Sequence, residues 1–344
     1  MRILITGGAG LVGSHVAEYY AKKSAEVIVL DNLMRSKLFG YDKKSVEYNW
    51  CWLERYSNIK LIKGDVRNGD DVKKAIGQGV DVVIHTAGQP GVPLSIRIPK
   101  EDFSINAFGT LNVLECVRQI SPEAAFIYCS TNKVYGENVD KLLLEEQKTR
   151  YVYKEIEGVS ETLSIDHTGH TPYGASKYAG DLYTQEYARM YGMKTAVFRM
   201  SCIYGTRQFG FEDQGWVAWF IIAILKGKPI TIYGDGKQVR DLLYVDDLVQ
   251  AYDFFIRSNI KHGVWNIGGG AENTTSINEF IDFLEKEIGK KAKITFGDWR
   301  SSDQKVYISD LNKINKELGW KPHISPENGY RMLIAWIKEN LTLF

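Results

Sequence analysis

The first two hundred residues alternate between short, nearly uninterrupted apolar runs and longer stretches with helical spacing. Residues 3–6, 26–30, 59–63, 80–85, 125–129 and 195–200 read as β-strands. Residues 14–23, 70–76, 104–119 and 176–191 read as the helices between them. Such alternation predicts an α/β fold, a doubly wound parallel Rossmann sheet with crossover helices, and more strands than one half of that fold supplies. Residues 37–57 and 141–170 are polar-aromatic and weakly periodic, so they read as long loops with at most short helices, of the kind that carry binding function. Beyond residue 200 the pattern turns irregular and aromatic, with helices at 217–226 and 246–256 around a turn-rich segment at 233–237. No repeat or low-complexity tether intervenes. The expected domains are therefore a Rossmann domain of residues 1–198 plus about 239–268, and a smaller, partly discontinuous C-terminal substrate domain of about 199–238 plus 269–344.

Composition narrows the function classes. The chain has 344 residues, 25% charged and 44% hydrophobic, which suits a globular chain of two domains. Lys plus Arg number 43 against 42 for Asp plus Glu, so there is no bulk attraction toward nucleic acid or an anionic membrane. Any anionic ligand must be held locally. The longest apolar run, residues 216–225, is about half of the roughly 20 residues that cross a bilayer. The start runs from a short apolar segment straight into a glycine turn without a leader pattern, which predicts a cytoplasmic protein. Cys51, Cys116, Cys129 and Cys202 are scattered and form no Cys-x-x-Cys pair, so reduced thiols are expected rather than disulfides or zinc.

The first strand leads into Gly7-Gly8-Ala9-Gly10-Leu11-Val12-Gly13, a Gly-x-x-Gly-x-x-Gly pattern that opens the first helix. Gly7 and Gly10 let backbone approach a pyrophosphate, Gly13 lets helix pack on strand, and the amides around Leu11 and Val12 face the phosphates at the positive helix end. Asp31 closes the second strand, 24 positions after Gly7. A carboxylate there accepts from adenosine ribose hydroxyls and repels a 2′-phosphate, so NAD is favoured over NADP. Asp65 and Val66, after the third strand, suit an adenine contact.

Tyr173 and Lys177 are four residues apart at a helix start and so share a face. A tyrosine with an ordinary pKa near 10 is a poor base at neutral pH; a fixed ammonium and a positive nicotinamide ring would favour its phenolate. With a hydroxyl donor from Ser130-Thr131 at a strand end, the pair can move a proton on or off a sugar hydroxyl while hydride passes to a cofactor.

With these elements the chain resembles, over essentially its whole length, the extended short-chain dehydrogenase/reductase family of NAD-dependent nucleotide-sugar epimerases and dehydratases. The resemblance is carried by Thr6 through Gly13, Asp31-Asn32, Gly64-Asp65-Val66, His85-Thr86-Ala87-Gly88, Asn106 through Thr110, Tyr173 through Lys177, Tyr204-Gly205 and Arg240 through Asp247. It implies Tyr173 as proton shuttle, Lys177 on the nicotinamide ribose, and Thr131 on the reacting sugar hydroxyl. It also implies Asn32, Ala87, Gly88, Asn106 and Ser130 on the cofactor side. The family's 4,6-dehydratases carry an Asp-Glu pair directly after the active-site threonine, for elimination of water needs a separate acid and base. Here Asn132 and Lys133 stand there, which leaves reversible oxidation and re-reduction.

Ser130 through Gly136, Thr149 through Tyr151, Arg207 through Phe209, Asp213 through Phe220 and Ser302 through Gln304 resemble a narrower branch, the CDP-paratose (CDP-tyvelose) 2-epimerases. C2 of a nucleotide sugar has no adjacent carbonyl to acidify its hydrogen, so inversion would proceed through a transient keto sugar with NAD kept tightly bound and regenerated each turnover. The resemblance implies a nucleotide diphosphate sugar, CDP-linked by preference, as partner, anchored by Arg240 and Arg300 with Asp303 near the nucleotide ribose. Asn132, Lys133, Arg207, Gln214 and Trp216 complete the expected substrate side; for Trp216, core packing is an equal reading. Cys202 departs from the family, many of whose members place a diphosphate-binding Asn there. A homodimer or homotetramer is expected, with no nucleic-acid or membrane partner. His167 and His170 are three apart without a completing cluster, so no metal is expected. His85 reads as a core residue. Open alternatives are a UDP- or GDP-sugar 4- or 5-epimerase, a net sugar-nucleotide oxidoreductase, and a non-catalytic NAD-binding regulator.

Overall fold

Seven strands make the central sheet: β1 (Arg2–Thr6), β2 (Glu26–Asp31), β3 (Ile59–Lys63), β4 (Val82–His85), β5 (Ala125–Thr131), β6 (Thr195–Met200) and β7 (His262–Ile267). They belong to a computed structural model that describes residues 1–40, 44–300 and 302–344. The strand order is 7-6-5-4-1-2-3, and β1 pairs in parallel with both β2 and β4. Chain direction through the sheet therefore reverses between β1 and β4, and ligands of such sheets bind beyond the strand ends at that crossing point.

Register places the chemistry. Thr6 lies opposite Leu30 on one side and His85 on the other, and His85 opposite Tyr128. The glycine turn, Asp31, Ala87-Gly88 and Ser130-Thr131 thus leave the sheet along one edge. Leu4, Ile28, Val83 and Phe126 point into a core formed with Val72, Ile76, Val113, Leu114 and Val117 of the helices Gly69–Ile76 and Gly109–Ile120. Ile3, Ile5, Val27, Val29 and Ile84, alternating with them, are also fully buried. Helices on both faces explain why these strands read as continuous apolar runs.

Two compact units emerge: Met1–Val134, Thr171–Arg199 and Val249–Trp265 form one, and Tyr135–His170, Met200–Leu248 and Asn266–Phe344 the other. Two segments assigned by pattern to the Rossmann domain fall in the second unit. Residues 135–170 are tied there by Tyr151 donating to the Lys237 carbonyl, Val159 to Ile308 and Asp310 to Val159. Residues 239–248 include the strand Val239–Tyr244, which pairs with Cys202–Tyr204, Thr274–Ser276 and Val306–Tyr307. Residues 141–170, read as loop, contain a hairpin of Leu144–Glu146 and Tyr151–Tyr153. Residues 37–57 carry the ten-residue helix Lys44–Leu53 and the end of Arg35–Phe39, with 41–43 outside the described residues. Strand β7 was absent from the pattern because His262, Gly263 and Asn266 interrupt it; buried Trp265 and Ile267 secure it.

Candidate active site

The glycine turn is dictated by backbone crowding. Gly7 has φ 72, and a Cβ there would lie 2.6 Å from the Ala87 amide nitrogen. A Cβ on Gly13 would meet Gly8 Cα at 2.7 Å and Thr86 Oγ1 at 2.8 Å. Gly10 occupies the cap of helix Leu11–Lys22, which has no side-chain cap and no acid in its first turn. Leu11 and Val12 are partly exposed. Such a helix end fits a dinucleotide diphosphate.

Asp31 accepts from the Ala9 amide at 2.9 Å and the Leu33 amide at 2.8 Å, while burial pushes its pKa upward. Two lone-pair directions remain for ribose hydroxyls. Asn32 donates to Asp65 at 2.9 Å. Asp65 is also gripped by Arg67 through Nε at 2.9 Å and Nη2 at 2.7 Å, and these donors outweigh desolvation to hold its pKa down at about 2. Its carboxylate is thus engaged by the protein. Val66 is buried, with its carbonyl accepting from Asn112 at 2.6 Å.

The reacting groups meet at the head of the helix Thr171–Tyr191, which starts five residues before the expected boundary and so includes Tyr173. Thr171, at φ 61, accepts from the Gly174 amide at 3.3 Å, and Pro172 follows at a position whose missing N–H costs a helix nothing. Thr131 is near enough to Tyr173 to act on its titration: burial pushes the Tyr173 pKa up to about 12, opposed by Thr131 and reinforced by the Asp102 charge. The protein by itself therefore favours the phenol; the expected phenolate rests on the Lys177 ammonium together with the positive nicotinamide ring.

Lys177 lies below the sheet edge, its Nζ donating to the Cys129 carbonyl at 2.6 Å and standing 4.3 Å from the Tyr128 ring centroid. Burial lowers its pKa to about 8, with Cys129, Asp181 and Asp102 acting the other way. A Cβ on Gly88 would be 3.9 Å from that ammonium and 3.1 Å from Asn106 Oδ1, which brings Gly88, Asn106 and Lys177 together.

Two expected cofactor residues prove to be internally engaged. Asn106, in a widened π-type turn at Ser104–Phe108, accepts from the Gln89 amide at 2.8 Å and donates to Asp102 and Ser176, each at 3.1 Å. Ser130 donates to Asp181 at 2.7 Å, and Asp181 is paired with Arg199 at 3.0 Å in a buried bridge. Both brace the site's walls. The pattern overlooked the centre of the first network, Asp102. It is fully buried and accepts from Ser176 at 2.5 Å and Gln89 Nε2 at 2.8 Å. The signal was present as spacing: Asp102 lies four before Asn106 and Asp181 four after Lys177.

His85 is a core residue. Thr110 donates to the Asn106 carbonyl at 2.6 Å, so His85 Nε2 donates to Thr110 at 3.0 Å and Nδ1 accepts from Thr6 at 2.6 Å. Burial, and then Lys177, lowers its pKa to about 3, which keeps it neutral.

Asn132 and Lys133 follow Thr131 directly, with the Lys133 amide donating to Thr131 Oγ1 at 3.3 Å. The remaining substrate-side residues lie in the second unit. Arg240 is paired with Asp303 at 2.6 Å, and Arg300 with Asp213 at 3.0 Å while stacking 3.7 Å from the Tyr233 centroid. Asp303 therefore meets Arg240. Trp216 packs edge-on against Phe220 and Phe280, with centroids 5.7 and 5.3 Å away, as core packing requires. Burial pushes the Cys202 pKa up to about 12. Arg207 is buried at φ 59, and Gln214 exchanges backbone hydrogen bonds with Phe211 at 3.0 Å. The rest of the Arg240 through Asp247 string is structural: Asp241 accepts from the Ser309 and Gly270 amides, and Asp247 from those of His323 and Ile324.

Among the described residues no cluster of His, Cys, Asp and Glu could hold a metal, and no helix is long and apolar enough to cross a membrane. A parallel sheet reversing at β1, a glycine turn beside the Asp31 carboxylate, and Tyr173, Lys177 and Thr131 at the same edge are the features of a dinucleotide-dependent enzyme of the Rossmann class. The profile of the NAD dependent epimerase/dehydratase family matches residues 3–268, and the chain belongs to that family. It is similar to a CDP-paratose 2-epimerase of Salmonella typhi, at 39% identity covering 98% of this chain and 99% of that one. It is also similar to the structure of a UDP-glucose 4-epimerase of Thermotoga maritima with UDP-glucose, at 30% identity and TM-score 0.82, over 99% and 100% of the two chains. A UDP-glucuronic acid 4-epimerase of Bacillus cereus in complex with UDP-glucuronic acid and NAD matches at 29% identity and TM-score 0.82, over 99% and 100%. The protein is an NAD-dependent epimerase.

Proposed function

We propose that this enzyme is a nucleotide-sugar 2-epimerase of the CDP-paratose/CDP-tyvelose type. The observation that carries the reading is the near full-length similarity to a CDP-paratose 2-epimerase, joined to Asn132 and Lys133 where a dehydratase would need two carboxylates. Leu11, Val12 and the glycine turn seat the diphosphate of NAD, Asp31 the adenosine ribose, and Lys177 with Gly88 the nicotinamide end. Bound NAD supplies a hydride acceptor that can return the same hydride, and its positive ring favours the Tyr173 phenolate. Thr131 holds the C2 hydroxyl, and Tyr173 takes its proton as the keto sugar forms and restores it after the sugar presents its other face. Arg240 and Arg300 exchange Asp303 and Asp213 for the substrate diphosphate; an arginine's planar fork suits phosphate oxygens.

The test is to supply CDP-, UDP- and GDP-linked sugars to the purified enzyme and locate the inverted carbon by NMR. Inversion at C2 of a CDP-sugar without NADH accumulation is expected. Inversion at C4 of a UDP-sugar would instead favour the activity of the two structural relatives, and stoichiometric NADH would make the enzyme a net oxidoreductase. We read the enzyme as a homodimer or homotetramer in the cytoplasm. Leu182, Tyr183 and Met190, exposed on the catalytic helix, are the surface for self-association, checked by sedimentation.

A further inference from the structure

The helix Lys44–Leu53 lies in a stretch that reads as loop, yet one of its side chains reaches the glycine turn. Asn49 is 2% exposed, and its Nδ2 donates to the Ala9 carbonyl at 3.1 Å. On the other side of the same Cα, the Ala9 amide donates to Asp31 at 2.9 Å. The two successive peptide groups flanking Ala9 are thus held by two side chains from different elements, between Gly8 and the cap residue Gly10. Asn49 Oδ1, however, is buried with no hydrogen-bond partner among the described residues. An apolar side chain of the same shape would remove the orphaned Oδ1 but leave the buried Ala9 carbonyl without its donor, so stability alone favours neither side chain strongly. What it achieves is the orientation of the Ala9–Gly10 peptide, from which the Leu11 and Val12 amides follow.

We propose that Asn49 is a positioning residue for cofactor retention: with Asp31 it clamps the peptides on either side of Ala9, presetting the phosphate-facing amides so that NAD stays bound between turnovers. This requires NAD use but not the sugar assignment, and NAD release is measured without any sugar. The Asn49→Leu variant removes the bond at similar volume, exchanging the orphaned Oδ1 for an unpartnered Ala9 carbonyl. It is expected to release NAD about tenfold faster than the parent, the scale of one lost hydrogen bond. Less NAD should copurify, while the melting temperature of the NAD-stripped protein changes little. Asn58→Leu is the control, for Asn58 Nδ2 donates to the Ala21 and Ala25 carbonyls, both at 2.9 Å, away from the turn. It should lower the melting temperature and leave NAD release unchanged.

Unchanged NAD release in Asn49→Leu overturns the proposal, as does a release rate that rises only in step with a falling melting temperature. If Asn49→Leu does not fold, Asn49→Asp serves. Its carboxylate would face the Ala9 carbonyl oxygen to oxygen, whereas the protonated acid donates to it. NAD release from this variant should slow, relative to the parent, as pH falls through the carboxyl titration; a parallel pH course overturns the proposal.

Discussion

The cofactor side and the substrate side treat their charges differently. Around the glycine turn and Lys177, Asp31, Asp102 and Asp181 accept from backbone amides or buried side chains. On the substrate side, Arg240 and Arg300 are paired with part-exposed carboxylates, Asp303 and Asp213. Buried networks resist rearrangement, whereas half-exposed ion pairs are worth roughly 0–1 kcal/mol and exchange partners readily. A cofactor that is kept calls for the first arrangement, and a substrate that must come and go calls for the second.

The largest effect tests the chemistry at Tyr173. Tyr173→Phe should reduce kcat by about 10³-fold, within the usual range for a lost proton shuttle, with copurified NAD unchanged. Retained activity would remove Tyr173 from its role. Next, Asp102→Asn should break the comparison at its most buried point. Loss of the acceptor for Ser176 and of the charge costs about 2–4 kcal/mol in denaturant unfolding. Because the Asp102 charge raises the Tyr173 pKa, phenolate absorbance should also appear at lower pH in this variant. A merely structural Asp102 would leave that titration in place.

On the substrate side, Arg240→Ala should raise KM by about 10-fold or more with a smaller change in kcat, as for loss of a charge-assisted anchor. Arg300→Ala should do the same less strongly. Equal loss in kcat would move these arginines from anchoring to chemistry. The smallest effect concerns Lys177. Its folded pKa, about 8, lies below its ordinary 10.5, so between those values the unfolded chain binds more protons and stability rises with pH. Urea unfolding of NAD-free enzyme from pH 7 to 10 should show that rise relative to Lys177→Met, which loses it.

Legibility followed the range of the interactions. The glycine turn and the Tyr173/Lys177 pair are set by local spacing, although the pair gains weight only beside the glycine turn and Ser130-Thr131. Asp102 sits at helical spacing from Asn106, but such polar pairs are ubiquitous, and only contact with Ser176, 74 positions away, marks this one. Asn49 was hidden in a stretch without clear period. Asn106 and Ser130 were located as site residues, but their side chains face inward to brace the site.

The sequence by itself determined the alternating elements, the glycine turn that opens the first helix, and the shared face of Tyr173 and Lys177, all set by neighbours within a turn or a strand. Tertiary structure decided which carboxylates are occupied, why Tyr173 stays a phenol, and which arginines can be exchanged. Charge state and hydrogen-bond partnership depend on burial and on groups tens of residues away, and only the folded chain brings those together.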